Sequence, residues 1–458
     1  MVDLHAATLE FRTAFGDQLI TSDSGLAHYA QTEGHHRFPA PDLVLRPKTI
    51  AEVQDAVRMA SKSGLPIIPY GAGTSLEGNA AAVRGGLCID LSQMTAIKEI
   101  RADDLLCVVE PGVTREHLNS ELRSTGLFFP VDPGANATLC GMASTRASGT
   151  TTVRYGSMRD NMLALKVVTA DGELISTGSR ARKSAAGYDL THLFMGAEGT
   201  LGIIVEATLR LHGQPEAVLA ATWDFETLEG AINTVIATIQ CGIPIARMEL
   251  LDPAAIKACN AFSGLGLAEQ PTLFLEFHGT PESTAQQLEL VRALGEAEGG
   301  GTLHFASETE DRNRLWKARH QALPSARALI SGASVWTTDI CVPISSLADA
   351  IGLVQRAVEA DGLTAPILGH VGDGNFHTLF VLPPDDAQAW AKARAINERM
   401  IDFALSVGGT CTGEHGIGIG KRQSLVREHG AGSVAIMRRV KEALDPQGIM
   451  NPGKIILD

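Results

Sequence analysis

The sequence predicts an α+β protein built in two parts, and three observations carry that expectation. A chain of 458 residues exceeds what one hydrophobic core usually organises, so two or more domains are expected. Up to residue 212, short apolar strand candidates mix with amphipathic helices. From residue 215 the texture changes to strands separated by longer helical stretches, the pattern of an antiparallel sheet with helices on one face, a ferredoxin-like layer. The expected domains are 1–213 with an N-terminal helix, 214–440, and a segment 441–458 that returns to the first.

Each element has a local reason. In "KTIAEVQDAVRMASKSG", Thr49 and Glu52 fit a capping box, and Ile50, Val53, Val57 and Ala60 line one helical face. "LPIIPY" is a short buried strand followed by a glycine loop. "GLCIDL", "LCVVEPG", "LALKVVTADGELI" and "GIIVEATLRL" are further strands, with helices such as "GVTREHLNSELRSTG" between them. In the second part, "AATWDF", "IARMELLD", "TLFLEFHG" and "SVWTTDICVP" are strands and "SSLADAIGLVQRAVEADG" a helix. The tail "LDPQGIMNPGKIILD" is rich in turn formers and is expected to end in a short apolar strand.

Bulk properties exclude some functions. A formal charge of −14 argues against a nucleic-acid binder, which needs a basic face for phosphates. No stretch of eighteen apolar residues predicts a membrane span. The first residues have neither a basic region followed by an apolar run nor the acid-free character of a transit peptide. The seven cysteines (88, 107, 140, 241, 259, 341, 411) form no CxxC pair, which argues against an iron–sulfur cluster and for free thiols in a reducing compartment. The expected setting is the bacterial cytoplasm, with peripheral association at the inner membrane as an alternative, and the expected assembly is a homodimer.

The loop "PYGAGTSLEGNA" is not a dinucleotide fingerprint. A GxGxxG match from Gly71 would need glycine where Leu76 stands, and a strand rather than a helix follows. P-loop spacing fails at "GIGIGK", where His415 lies five before Gly420 and Arg422 follows Lys421. The loop is then either a plain turn or an anion-binding concavity of backbone N–H groups. Two further small-residue segments, Val131 to Asn161 and "GAEGTLGII" from Gly196, favour a long polar ligand laid against backbone.

These segments resemble the FAD domain of the vanillyl-alcohol-oxidase-like (PCMH-type) flavoproteins. With "GHVGDGNFH", "GEHGIGIGKR" and "NPGK", the chain from about residue 38 onward resembles the FAD-dependent D-2-hydroxyacid dehydrogenases, with the cytochrome-linked D-lactate dehydrogenases as the nearest likeness. The resemblance implies a PCMH-type FAD domain of two α/β subdomains with a cap domain. It places Gly71, Gly73, Thr74, Ser75, Gly78 and Asn79 at the pyrophosphate. Pro133, Gly134, Gly141, Ser144, Ser148, Gly149 and Tyr155 would approach the rest of the cofactor. Glu198, Gly199, Gly202 and Ile203 would lie near the adenine side, and Asn451 in "NPGK" would join them. The first loop lacks the histidine that some relatives use for covalent attachment, so a dissociable FAD is expected.

"GHVGDGNFH" puts His370 and His377 on either side of a glycine-rich bend between two strands. The glycines permit backbone angles that bring both rings to one point, although a single histidine is more often just a satisfied polar residue. With Glu414 of "CTGEHGIGIGK" they make a ligand set for a catalytic divalent ion with open positions. The resemblance assigns these three to a metal: Zn2+ first, Mn2+ or Fe2+ otherwise. Such an ion lowers the pKa of a bound oxygen toward ~7, which suits removal of a hydroxyl proton. His415 is the candidate base or, alternatively, only orients Glu414. Asp373 is expected to serve its turn.

The resemblance makes Arg319 of "RLWKARHQAL" the guanidinium for a substrate carboxylate, leaving Arg312, Arg314 and Lys317 on a solvated face. Asn375 hydrogen-bonds either substrate or its own turn. Relatives that oxidise 2-hydroxyglutarate carry polar anchors where this chain has Leu379 and Thr337. A second buried carboxylate would lack its cation, so D-lactate or a similar apolar 2-hydroxy acid is the expected substrate. Electrons would leave to an external acceptor, cytochrome c or a quinone-linked carrier. The alternatives are a D-2-hydroxyglutarate dehydrogenase, the FAD subunit of a glycolate oxidase, a non-redox transferase resembling alkyl-dihydroxyacetonephosphate synthase, and a flavin-binding scaffold without turnover.

Overall fold

The computed structural model describes residues 2–31, 33–35 and 37–457. The chain divides into two compact units: Met1–Ser148 with Gly156–Gln214 and Glu414–Asp458, and Gly149–Tyr155 with Pro215–Gly413. The first unit resumes at Glu414 rather than at 441. The reason is the helix Arg422–Leu444, whose Val440 and Leu444 pack against a core of that unit. The short segment Gly149–Tyr155, expected with the first domain, belongs to the second unit, where its helix Thr152–Tyr155 packs on the strand Ile245–Leu251.

The first unit holds two principal sheets. In one, Leu43–Leu45, Leu87–Asp90 and Ile67–Tyr70 run parallel, with Leu19–Ile20 added antiparallel at the edge. The helix Ile50–Ser63 covers it. Thr49 accepts the Glu52 N–H, Gly64 closes the helix in the left-handed conformation, and Val53, Ala56, Val57 and Ala60 are buried. The second sheet is antiparallel, in the order Ile97–Arg101, Leu106–Val109, Ile203–Arg210, Met162–Val168, Leu174–Ser176. Its strand Ile203–Arg210 lies between two cores. Ile203 and Val205 enter the core shared with Leu43 and Ile67, while Ala207 and Leu209 enter the other, which explains its near-continuous apolar run.

The second unit is built on one antiparallel sheet in the order Gly300–Ala306, Ala217–Phe225, Thr272–Gly279, Ile245–Leu251, Ile367–His370, Asn375–Leu382, Ser334–Thr337. Its first four strands, with helices Leu228–Gln240 and Pro281–Glu296, make the split β-α-β order of a ferredoxin-like layer. Directly opposed residues share a face, and register therefore aligns a polar row. Glu276 pairs with Arg247, His370 with Asn375, and His278, Glu249 and His377 follow at alternate positions. Burying such a row costs stability unless every member is partnered. That marks this face of the sheet as the place to look for function.

The C-terminal strand expected from "KIILD" is absent among the described residues. Only an isolated bridge from Ile67 to Met450 forms there, because Pro452, Gly453 and the positive-φ residues Asn451 and Ile455 break extension. Among the described residues no helix is long and apolar enough to cross a membrane. All seven cysteines are free thiols.

Candidate active site

The hairpin forms as its glycines suggest. Ile367–His370 pairs with Asn375–Leu382 around a four-residue turn. Gly374 has φ +80°, and a Cβ there would meet the Val342 carbonyl oxygen, so only glycine closes this turn without strain. Asp373 donates its backbone N–H to the His370 carbonyl at 3.0 Å, consistent with a turn role. His370 and His377 project from one face, with ring centroids 5.5 Å apart and planes at 83°. His377 Nδ1 lies 2.9 Å from the Thr338 carbonyl oxygen. A carbonyl only accepts, so Nδ1 carries the proton and Nε2 is the nitrogen with a lone pair.

Sequence reasoning missed Glu249. Its carboxylate, fully buried at 0% exposure, accepts from His370 Nδ1 at 2.7 Å and from Arg319 Nη2 at 2.5 Å. The first contact fixes His370 in the same tautomer as His377. Burial pushes the Glu249 carboxyl up, but the neighbouring imidazole and guanidinium outweigh it and hold the group below its ordinary range. The signal was present in "IARMELL": Arg247 and Glu249 alternate with apolar residues, which places two charges on one strand face.

Arg319 sits on the helix Thr309–His320 with Trp316 one turn earlier, both buried, while Arg314 and Lys317 are exposed. Arg319 Nε is buried and finds no acceptor among the described residues, a donor that a ligand carboxylate could satisfy. Asn375 gives Nδ2 to Asp339 Oδ1 at 2.8 Å and to the Ile340 carbonyl at 2.7 Å. Its Oδ1 is buried without a partner among the described residues, so the amide serves its surroundings and still presents an acceptor. Leu379, two residues after His377, is buried in an apolar cluster with Trp316, Phe274, Val335 and Leu368.

In the first unit Glu414 accepts from Ser148 Oγ at 2.9 Å. Thus Ser148, assigned to the cofactor by resemblance, serves Glu414 here. His415 has Nε2 3.9 Å from Glu414 and Nδ1 3.9 Å from Glu77, with its side chain 8% exposed. The following loop is latched by Glu198, whose carboxylate accepts the N–H groups of Ile417 and Gly418 at 2.7 and 2.8 Å. Burial raises the Glu198 pKa to about 7 despite those donors.

The three small-residue segments do converge within the first unit. A Cβ on Gly71 or Gly141 would meet Thr138 Oγ1, and one on Gly199 would meet Pro69. Gly196 N–H bonds to Ala143, and Glu198 N–H to Ser144. Gly73 and Gly78 both have φ +72°, and a Cβ on Gly134 would meet nothing. Asn451 donates to the Asn79 and Glu198 carbonyls at 2.8 and 2.6 Å, joining two of the loops, while Asn79 Oδ1 is buried with no partner among the described residues. Tight glycine contacts, partly exposed Thr74, Ser75 and Pro133, and an unmatched acceptor suit a polar ligand held by backbone. Gly202 and Ile203 instead serve packing: a Cβ on Gly202 would strike Val167, and Ile203 is wholly in the core. Gly149 and Tyr155 fall in the second unit, where Tyr155 Oη lies 2.7 Å from His278 Nδ1 and His278 Nε2 lies 2.8 Å from Glu276.

Comparison with known proteins agrees with this architecture. Residues 41–178 match the FAD binding domain family, and residues 214–455 match the FAD linked oxidases, C-terminal domain. A zebrafish protein named probable D-lactate dehydrogenase, mitochondrial, is 47% identical over 97% of this chain and 90% of its own. An Arabidopsis thaliana D-lactate dehydrogenase [cytochrome], mitochondrial, is 43% identical over 98% of this chain and 79% of its own. The solved structure of p-cresol methylhydroxylase superposes with a TM-score of 0.84 at 18% identity, covering 99% of this chain and 97% of that one, which establishes a shared PCMH-type fold. These relatives overturn the expected bacterial cytoplasmic setting, since both are named as mitochondrial. Free thiols do not distinguish one reducing compartment from another. On sequence identity across nearly its whole length, this chain belongs to the FAD-linked oxidase family, as a flavoenzyme of the D-lactate dehydrogenase group.

Proposed function

We propose that the chain oxidises D-lactate, or a close D-2-hydroxy acid with an apolar side chain, to the 2-oxo acid and passes the electrons to an external acceptor such as cytochrome c. FAD, when bound, supplies the hydride acceptor, and a divalent ion supplies the positive charge that makes the substrate hydroxyl acidic. His370 and His377 would hold the ion through Nε2, and Glu414 through its carboxylate. Arg319 binds the substrate carboxylate, His415 takes the hydroxyl proton at Nε2, and Leu379 gives the side chain an apolar wall. Gly71, Gly73, Thr74, Ser75, Gly78 and Asn79 would line the pyrophosphate.

The observation that carries this reading is the pair of hairpin imidazoles, 5.5 Å apart, each with Nδ1 committed to an acceptor. Two histidines so oriented are prepared to coordinate. The nitrogen and oxygen donors suit Zn2+, with Mn2+ or Fe2+ as alternatives. Anaerobic stopped-flow measurement of flavin reduction tests the proposal. D-lactate should reduce the flavin fast, a chelator should slow it by orders of magnitude, and L-lactate and D-2-hydroxyglutarate should be poor. Fast reduction that survives metal removal would refute the ion, and faster reduction by hydroxyglutarate would refute the substrate.

A further inference from the structure

Glu249 divides its two oxygens between His370 and Arg319. These three residues lie on separate elements: the strand Ile245–Leu251, the strand Ile367–His370 and the helix Thr309–His320. Register accounts for the first contact. Leu250 pairs with Gly369, so the next antiparallel step sets Glu249 opposite His370 on the same face. Burial accounts for the second, because a carboxylate at 0% exposure requires a counter-charge and the guanidinium supplies it. Arg319 keeps a buried Nε with no acceptor among the described residues, so Glu249 anchors the guanidinium without exhausting its donors.

We propose that Glu249 is a positioning residue that sets both halves of the active site, holding His370 as an ion ligand and holding Arg319 as the receptor of the substrate carboxylate. This rests on the ion and substrate reading above. A neutral imidazole that donates Nδ1–H to a carboxylate is a stronger and better aimed donor at Nε2. A guanidinium pinned at Nη2 is fixed in plane, so its remaining N–H groups meet an incoming carboxylate in one orientation. One buried carboxylate thereby sets the spacing between the two groups that a 2-hydroxy acid must reach at once, its hydroxyl at one and its carboxylate at the other.

Zinc affinity of the FAD-loaded full chain, measured by competition with a chromophoric chelator, provides a readout apart from turnover. Glu249→Gln should weaken zinc by about 10–100-fold while flavin content stays near the parent's, and the thermal transition should fall because Arg319 loses its buried counter-charge. At saturating zinc it should also raise KM for D-lactate, and Glu249→Asp should recover part of both losses. Parent-like zinc affinity in Glu249→Gln would overturn the role toward His370, and an unchanged KM at saturating zinc would overturn the role toward Arg319. Should the glutamine variant fail to fold, the aspartate variant decides by the same two measurements. His370→Ala separates the premises: if it still binds zinc like the parent, the ion assignment itself is wrong, whereas loss of zinc there with parent-like zinc in Glu249→Gln defeats only the positioning role.

Discussion

Thr337 and Leu379 stand directly opposite each other on adjacent antiparallel strands, and Leu379 lies two residues beyond His377 on the same face. The two positions that the proposed reading sets against a second substrate carboxylate are thus neighbours in space, and neither carries a charge. The double change Thr337→Lys with Leu379→Asn should increase kcat/KM for D-2-hydroxyglutarate and lower it for D-lactate by at least about ten-fold, since removing apolar contact alone is worth ~1–3 kcal/mol. Steady-state assays of the two acids with an artificial acceptor check the direction.

Arg319→Lys keeps the charge but loses the planar fork. It leaves Glu249 with a partner, so folding should survive, whereas carboxylate recognition should not. KM for D-lactate is expected to rise about ten-fold or more, one lost charge-assisted hydrogen bond being worth ~1.5–3 kcal/mol, with a smaller change in kcat.

Asn451→Ala removes the side chain that satisfies the carbonyls of Asn79 and Glu198. Two buried acceptors then lose their donor, at about 1–3 kcal/mol each. Denaturant unfolding should show the loss. FAD dissociation should quicken because the tied loops include the proposed pyrophosphate residues.

His212 hydrogen-bonds Asn161 at 2.8 Å, and burial, with nearby Arg210 and Arg182, lowers its pKa to about 4. The unfolded imidazole binds its proton first as pH falls below about 6.5. Stability contributed by neutral His212 is therefore complete above that pH, declines between about 6.5 and 4, and levels off below. His212→Gln keeps an amide partner for Asn161 and should lose less stability across this window. Allowing for solvent around a half-buried ring, the difference should be about 1–2 kcal/mol, read from denaturant curves at pH 7 and pH 4.5.

The sequence by itself determined the local matters. Capping residues and apolar periodicity marked the helix Ile50–Ser63, and glycines and spacing marked the histidine hairpin. The change in texture near residue 214 marked the start of the second unit. These are legible because each depends on residues a few positions apart. Tertiary structure alone decided that the helix Arg422–Leu444 returns to the first unit, that Ser148 and Glu198 bind the chain itself, and that Glu249 faces His370. An acid in a strand has no meaning until register selects its neighbour, and register is set by contacts between segments more than a hundred residues apart.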